Sequence, residues 1–253
     1  MLRTRVIPCL QLIDESLVKT IKFSKYGYIG DPINTVRIFN ELEVDELCFL
    51  DIRATKEKRE PNLKILSEIA NECFMPLSYG GGVKDLETAK KILSIGFEKI
   101  VINSSAYLNP NLVSEIANYS GNQSVIGSID FKKNIFGKYQ IFTHDGTQKQ
   151  SKDPIKWAQE LEDLGAGELL LTSMDNDGTW RGYDVDLLNR ITSVVNIPVI
   201  ANGGAGNISH INDVVKKANV SAVALGSMVV YQAEGLGVLV NFPDKDKLNN
   251  AID

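Results

Sequence analysis

The stretch Met75-Pro-Leu-Ser-Tyr-Gly-Gly-Gly82 returns 122 residues later as Ile197-Pro-Val-Ile-Ala-Asn-Gly-Gly204. At the same offset Glu46 matches Glu168. Each stretch is a short apolar run that ends in glycines, which is typical of a strand leading into a tight turn. Because the offset is close to half of the 253 residues, the repeat predicts two structurally equivalent halves.

Strand-like and helix-like segments alternate along the whole chain. The strand-like runs are apolar or β-branched and cover residues 5–12, 47–52, 75–79, 99–103, 124–130, 168–174, 198–201 and 222–226. Between them, apolar residues at helical spacing predict helices at 32–42, 62–73, 86–95, 111–119, 153–164, 184–194 and 208–217. Eight units predict an α/β fold, a single-domain (β/α)8 TIM barrel of two half-barrel repeats over residues 1–253. Residues 12–31 and 131–152 are expected to be long loops on the functional face.

The composition is that of an ordinary soluble domain, with 27 Lys+Arg, 32 Asp+Glu and a net charge of −5. This balance offers no basic surface for nucleic acid or an anionic membrane, and no apolar run is long enough to span a bilayer. We therefore expect a cytoplasmic protein.

Cys9, Cys48 and Cys73 are predicted to be buried free thiols, and His144 and His210 lie in polar, loop-like sequence. No metal site and no cofactor are predicted.

Two glycine-rich turns, at 80–82 and 203–206, each follow a predicted strand and precede a predicted helix. Glycine lets backbone N–H groups approach an anion, and the helix N-terminus adds positive potential. Each alone could be a simple turn, but the pair favours two phosphate sites and a ligand with a phosphate at each end. One site is assigned to Gly82, Asn103 and Ser104, and the other to Gly178, Gly204, Gly226 and Ser227.

Acidic side chains stand at the predicted carboxyl ends of strands, where barrels of this kind place their chemistry. They are Asp51, Asp130 and Asp175 or Asp177. Each could project into the mouth of the barrel, or it could instead cap the following helix or accept hydrogen bonds from loop amides. Lys19, in the first long loop, could contact phosphate or be solvated.

Charged residues also stand at the opposite end of four strands. They are Arg5, Glu46, Lys99 and Glu168. Buried charges are costly unless they are paired, so their shared level predicts a salt-bridged ring across the barrel floor. The ring is either a structural plug or a gate on a pore.

Over nearly its full length the sequence resembles the cyclase subunit of imidazole glycerol phosphate synthase (HisF). The matching segments are Ile7-Pro-Cys-Leu10, Gly30-Asp-Pro32, Asp45-Glu-Leu47, Leu50-Asp-Ile52, Gly80-Gly-Gly82, Ile102-Asn-Ser104, Leu171-Thr-Ser173, Asp177-Gly-Thr179, Gly182-Tyr-Asp184 and Gly203-Gly-Ala-Gly206. In that family a HisH-type glutaminase docks on the N-terminal face of the barrel, and ammonia passes a charged gate to a small bisphosphorylated ligand. The resemblance implies that the charged ring is this gate. It also implies that Lys19, Asp51 and Asp177 join the phosphate residues in binding the ligand.

The chain departs from the family at one catalytic position. The family uses two carboxylates as general acid and base, and Asp130 keeps one of them, but Gln11 stands where the other is expected. A glutamine amide cannot exchange a proton near neutral pH, so the cyclase reaction should lose a contribution of about 10²–10⁴-fold. Asp14 is a candidate substitute. Asn202 and the tail at 235–243 also differ from the histidine-pathway pattern.

We therefore expect a HisF-like paralogue that delivers ammonia for sugar amidation in surface-polysaccharide biosynthesis. A separate ATP-dependent sugar amidotransferase would be a further partner. Two alternatives stay open: a genuine cyclase, a lyase of histidine biosynthesis, and a non-catalytic barrel that binds an effector and activates the glutaminase. Lys19 would lie in a mobile lid whose hinges are Gly27 and Gly30.

Overall fold

The computed structural model describes residues 3–252 and shows eight parallel strands closed into a barrel. With four further antiparallel strands outside the barrel, the described residues form twelve strands: β1 (Arg5–Ile13), β2 (Ser16–Ile21), β3 (Lys25–Gly30), β4 (Leu47–Asp51), β5 (Leu77–Gly80), β6 (Lys99–Ile102), β7 (Val125–Lys133), β8 (Tyr139–Thr143), β9 (Gln148–Lys149), β10 (Glu168–Ser173), β11 (Val199–Asn202) and β12 (Ala222–Leu225). The barrel order is β1-β4-β5-β6-β7-β10-β11-β12, and β12 pairs with β1 to close it. The predicted (β/α)8 barrel is confirmed.

Helices cover the outside of the barrel. They are α1 (Pro32–Glu41), α2 (Leu63–Glu72), α3 (Leu86–Ile95), α4 (Ser104–Leu108), α5 (Asn111–Ser120), α6 (Pro154–Asp163), α7 (Val185–Thr192), α8 (Ile208–Ala218), α9 (Ser227–Val230) and α10 (Lys245–Ile252). Most begin at a side-chain oxygen that accepts a backbone N–H, as Asp31 does for Asn34 and Asp85 for Thr88. All seven predicted helices are present, and α4, α9 and α10 are additional. The tail at 235–243 is irregular, and α10 follows it.

The apolar residues form two separate layers. Inside the barrel, small and branched side chains make one cluster: Ile7, Cys9, Cys48, Val101, Ile126, Leu170, Ile200, Ala222 and Ala224. A larger cluster fills the space between the strands and the helices and includes Phe39, Phe49 and Trp157. Strands buried on both faces explain why the sequence shows continuous apolar runs rather than alternation.

The two halves repeat the same close backbone approach at the mouth. Gly81 has φ +116°, and a Cβ there would overlap the carbonyl oxygen of Asp51. Gly203 has φ +89°, and its Cβ would lie 2.7 Å from the carbonyl oxygen of Ser173. The two pairs are related by the offset of 122 residues (51 to 173, 81 to 203) seen in the sequence. The internal repeat is therefore a structural repeat.

Both segments predicted as loops are antiparallel hairpins, which corrects that expectation. β1 continues past the barrel and turns into β2 and β3, and β7 continues in the same way into β8 and β9. β2 is buried over residues 17–20, whereas β3 is exposed over residues 25–28, so the first hairpin is covered mainly on its β2 side.

No helix within residues 3–252 is long and apolar enough to cross a bilayer. Residues 1, 2 and 253 of the predicted domain lie outside the described residues.

Candidate functional site

The four predicted charges meet at the floor of the barrel. Lys99 Nζ lies 3.0 Å from Oε1 of both Glu46 and Glu168, and Arg5 contacts the same two carboxylates. Each base therefore pairs with both acids, and the four side chains close a ring. Burial opposes the charge of Arg5, but the fields of Glu168 and Glu46 outweigh it and raise the pKa of Arg5.

One atom of the ring has no partner. Glu168 Oε2 is buried and accepts no hydrogen bond from any residue in the described range 3–252. Buried carboxylate oxygens are rarely left unpaired, because the lost hydration is costly. This oxygen is a free acceptor for a small donor at the floor, directly below the apolar interior formed by the inner cluster.

The mouth at the opposite end holds a cavity lined by residues from seven of the eight barrel strands and their loops. Gln11, Asp51, Asp130 and Asp145 line it together with the predicted phosphate residues Gly82, Asn103 and Ser104. The structure thus brings the first predicted phosphate group and the predicted catalytic pair to one place. Their roles stay predictions.

Asp130 stands at the base of this cavity, and Asn103 Nδ2 donates to its Oδ2 at 2.8 Å. Burial raises the pKa of Asp130 to about 7, and the negative charges of Asp145 and Asp177 add to the shift against the hydrogen bonds from Thr172 and Asn103. A carboxyl group that titrates near neutral pH can both take and return a proton.

The raised pKa predicts that Asp130 destabilises the fold at alkaline pH. The unfolded carboxyl ionises near pH 4 and the folded one near pH 7, so stability falls as the pH rises between them. Asp130→Asn cannot ionise and should raise the free energy of unfolding by about 1–2 kcal/mol at pH 8, after allowance for partial solvent exposure, and by nothing near pH 4. Urea titrations at the two pH values measure this difference. The exposed Asp163→Asn serves as a control, and an unchanged stability of Asp130→Asn at pH 8 would contradict the assignment.

Asp51 and Asp175 support the loops of the mouth. Asp51 accepts from the backbone of Arg53 and Ala54 at 3.1 and 2.9 Å and from Arg59 at 3.3 Å. It lines the cavity, and its bonds to loop amides fit the structural alternative for this residue, whereas the following helix α2 is capped by Asn62. Asp175 accepts from the backbone N–H of Lys133 at 2.9 Å and is not among the cavity's lining residues. Of the pair left open, Asp177 is the one at the mouth.

Sequence reasoning missed Asp145, which reaches the cavity from the turn between β8 and β9. Burial raises its pKa to about 6, against the charges of Lys56, 3.9 Å away, and of Arg53. Asp14, the candidate substitute for a catalytic carboxylate, is exposed and lies 3.6 Å from Arg59, away from the cavity lining. The Asp-Gly pair at 145–146 signalled a turn, but nothing local showed that this turn folds over the mouth.

The second predicted phosphate group lines a smaller neighbouring cavity. Its lining includes Lys19, Asp177, Gly178, Gly204, Gly226 and Ser227, together with Gln11 and Asn202. Lys19 is 5% exposed, and its Nζ lies 2.6 Å from Asp177 Oδ1. Of the two alternatives for Lys19, the solvated one does not hold, because the β2–β3 hairpin carries the side chain inward.

The thiols and imidazoles partly differ from expectation. Cys9 and Cys48 are buried in the barrel interior, but Cys73 is only half-buried at the end of α2. His144 lies in the turn after β8, whereas His210 lies in α8. Among residues 3–252 no group of three or more His, Cys, Asp or Glu could hold a metal ion.

Comparison with known proteins agrees with this geometry. The family model described as "Histidine biosynthesis protein" matches residues 5–234. A Pseudomonas aeruginosa protein provisionally named imidazole glycerol phosphate synthase subunit hisF2 is 49% identical, covering 98% of this chain and 99% of that one. A Leptospira borgpetersenii protein provisionally named imidazole glycerol phosphate synthase subunit HisF is 47% identical, and the match covers 98% of this chain and 99% of that protein. Imidazole glycerol phosphate synthase subunit HisF of Streptococcus sanguinis is 39% identical, and the match covers 91% of this chain and 92% of that protein. The chain belongs to the histidine biosynthesis protein family, as a HisF-like paralogue.

Proposed function

We propose that this chain is the ammonia-receiving subunit of a glutamine amidotransferase complex in the cytoplasm. A HisH-type glutaminase would dock on the floor, and ammonia would enter at the charged ring. It would cross the barrel and meet a bisphosphorylated ligand at the mouth. The observation that carries the proposal is the closed ring of Arg5, Glu46, Lys99 and Glu168 below an apolar interior, with the unpaired acceptor Glu168 Oε2 inside it.

The chemistry of ammonia suits this route. The inner cluster of apolar residues disfavours a cation, because desolvating an ion costs far more than desolvating a neutral molecule. Neutral ammonia can donate to Glu168 Oε2 and then pass the apolar layer. The ring excludes ions when it is closed, and its paired charges are the contacts that must separate to admit ammonia.

We further propose that the ammonia serves sugar amidation rather than histidine synthesis, through a separate ATP-dependent sugar amidotransferase. Support comes from Gln11, whose amide is engaged by Thr20 at 2.8 and 3.0 Å and offers no titratable group to a substrate. The cyclase alternative keeps one specific support, since Asp130 and Asp145 both titrate near neutral pH in one cavity.

The test is a cyclase assay on the purified chain with the histidine-pathway bisphosphate ribonucleotide and a saturating ammonium salt. Ammonium removes the need for the glutaminase, so only the mouth is tested. We expect wild-type turnover at least about 10²-fold below that of Gln11→Asp, the contribution typical of one general acid or base. Fast wild-type turnover, at a rate typical of enzymes and equal to that of the variant, would assign the chain to histidine synthesis. Stimulation of a glutaminase whose ammonia all escapes to solvent would instead favour the activator alternative.

A further inference from the structure

The side chain of Gln11 extends the pairing of two strands beyond the point where their backbones separate. The last residues that pair between β1 and β2 are Gln11 and Val18. Two residues later, Thr20 N donates to Gln11 Oε1 at 2.8 Å, and Gln11 Nε2 donates to Thr20 Oγ1 at 3.0 Å. The amide therefore holds the β2 backbone where no backbone group of β1 is left to do so.

Thr20 in turn contacts the loop that follows β10. Its hydroxyl donates to Asp177 Oδ2 at 2.7 Å, and the ammonium group of Lys19 forms a salt bridge with the other oxygen of the same carboxylate, Oδ1. The backbone N–H of Lys22 donates to the carbonyl of Asp177 at 2.9 Å. The β2–β3 hairpin is thus fastened across the mouth, and Lys19 is fixed at the edge of the second phosphate cavity.

The direction of these hydrogen bonds requires an amide at position 11. The Thr20 hydroxyl has one hydrogen, which it gives to Asp177, so it needs a donor from Gln11. A carboxylate of the same length would set oxygen against oxygen and add a negative charge near Asp177. Such a contact is repulsive and leaves a buried acceptor unpaired.

We propose that Gln11 is a positioning residue that fastens the β2–β3 hairpin over the mouth and so holds Lys19 beside Gly226 and Ser227. This inference rests on the proposed function and deepens it, because it gives Gln11 a positioning role at the place where the family has a catalytic carboxylate. Its Nε2–H group is the feature that a carboxylate lacks.

The test uses Gln11→Glu, which keeps the length of the side chain, removes the donor to Thr20 Oγ1 and adds a negative charge near Asp177. Amide hydrogen exchange at pH 7 is measured at Thr20 and Lys22. We expect exchange at least tenfold faster than in wild type, with tryptic cleavage after Lys22 and Lys25 accelerated in parallel. Amides of β8, in the other hairpin, are the internal control and should not change.

Thr20→Val provides a second route, because it removes the shared hydroxyl and leaves every barrel residue intact. It should loosen the same two amides, and adding Gln11→Met, which also removes the acceptor of the N–H at position 20, should loosen them further. Wild-type protection in Gln11→Glu would overturn the proposal, as would equal loosening of β8. None of these readouts needs a substrate, so a failed ammonia assay and a failed hairpin assay remain distinguishable.

Discussion

Replacing Glu46 by leucine should lower the free energy of unfolding by about 3 kcal/mol. The variant leaves Arg5 and Lys99 on the single carboxylate of Glu168, and breaking a buried charge network typically costs 3–5 kcal/mol. The estimate takes the lower end of that range because Arg5 is a quarter exposed. Urea denaturation followed by circular dichroism measures the change.

The ring also predicts a rescue. Glu46→Leu combined with Lys99→Met removes one negative and one positive charge and leaves Arg5 paired with Glu168. Because replacing a whole buried pair by apolar residues is often neutral, the double variant should recover to within about 1 kcal/mol of wild type. Additive losses in the double variant would show that the four charges do not act as one network.

Substitution of Gly81 by alanine should destabilise the barrel by about 3 kcal/mol and displace the Asp51 loop from the mouth. Its φ of +116° suits only glycine, and the new Cβ would meet the carbonyl of Asp51. Gly203→Ala, with 2.7 Å to Ser173, should cost somewhat less. Thermal unfolding measures both, with Gly237→Ala as the control because that position has no atom within 4 Å. A Gly81→Ala barrel as stable as the control would contradict this account of the repeat.

The barrel could be predicted because its determinants are local. Apolar runs, capping residues and glycine turns recur in sequence order, and the offset between Met75 and Ile197 reports the symmetry directly. The charged ring was predictable for the same reason, since Arg5, Lys99 and Glu168 open strands and Glu46 immediately precedes one. Equivalent positions on strands of a closed barrel lie at one level.

The contacts across the mouth could not be predicted, because they join segments far apart in the chain. Asp145 lines the same cavity as Asp130 only because the turn between β8 and β9 folds over the mouth, and Lys19 contacts Asp177, which is 158 residues away in the chain. A local pattern marks Asp145 as a turn residue and Lys19 as a surface lysine. The pairing of Gln11 with Thr20 likewise depends on where the first hairpin leaves the barrel.

We propose above that the floor of this barrel receives ammonia from a glutaminase. The most direct measurement titrates a HisH-type glutaminase from the same organism with the purified chain and follows glutamine hydrolysis. We expect a saturable complex at micromolar concentrations and stimulation of about tenfold or more, with stimulation lost when Arg5→Glu reverses a ring charge in a folded variant. Absence of both complex and stimulation with wild type would contradict it.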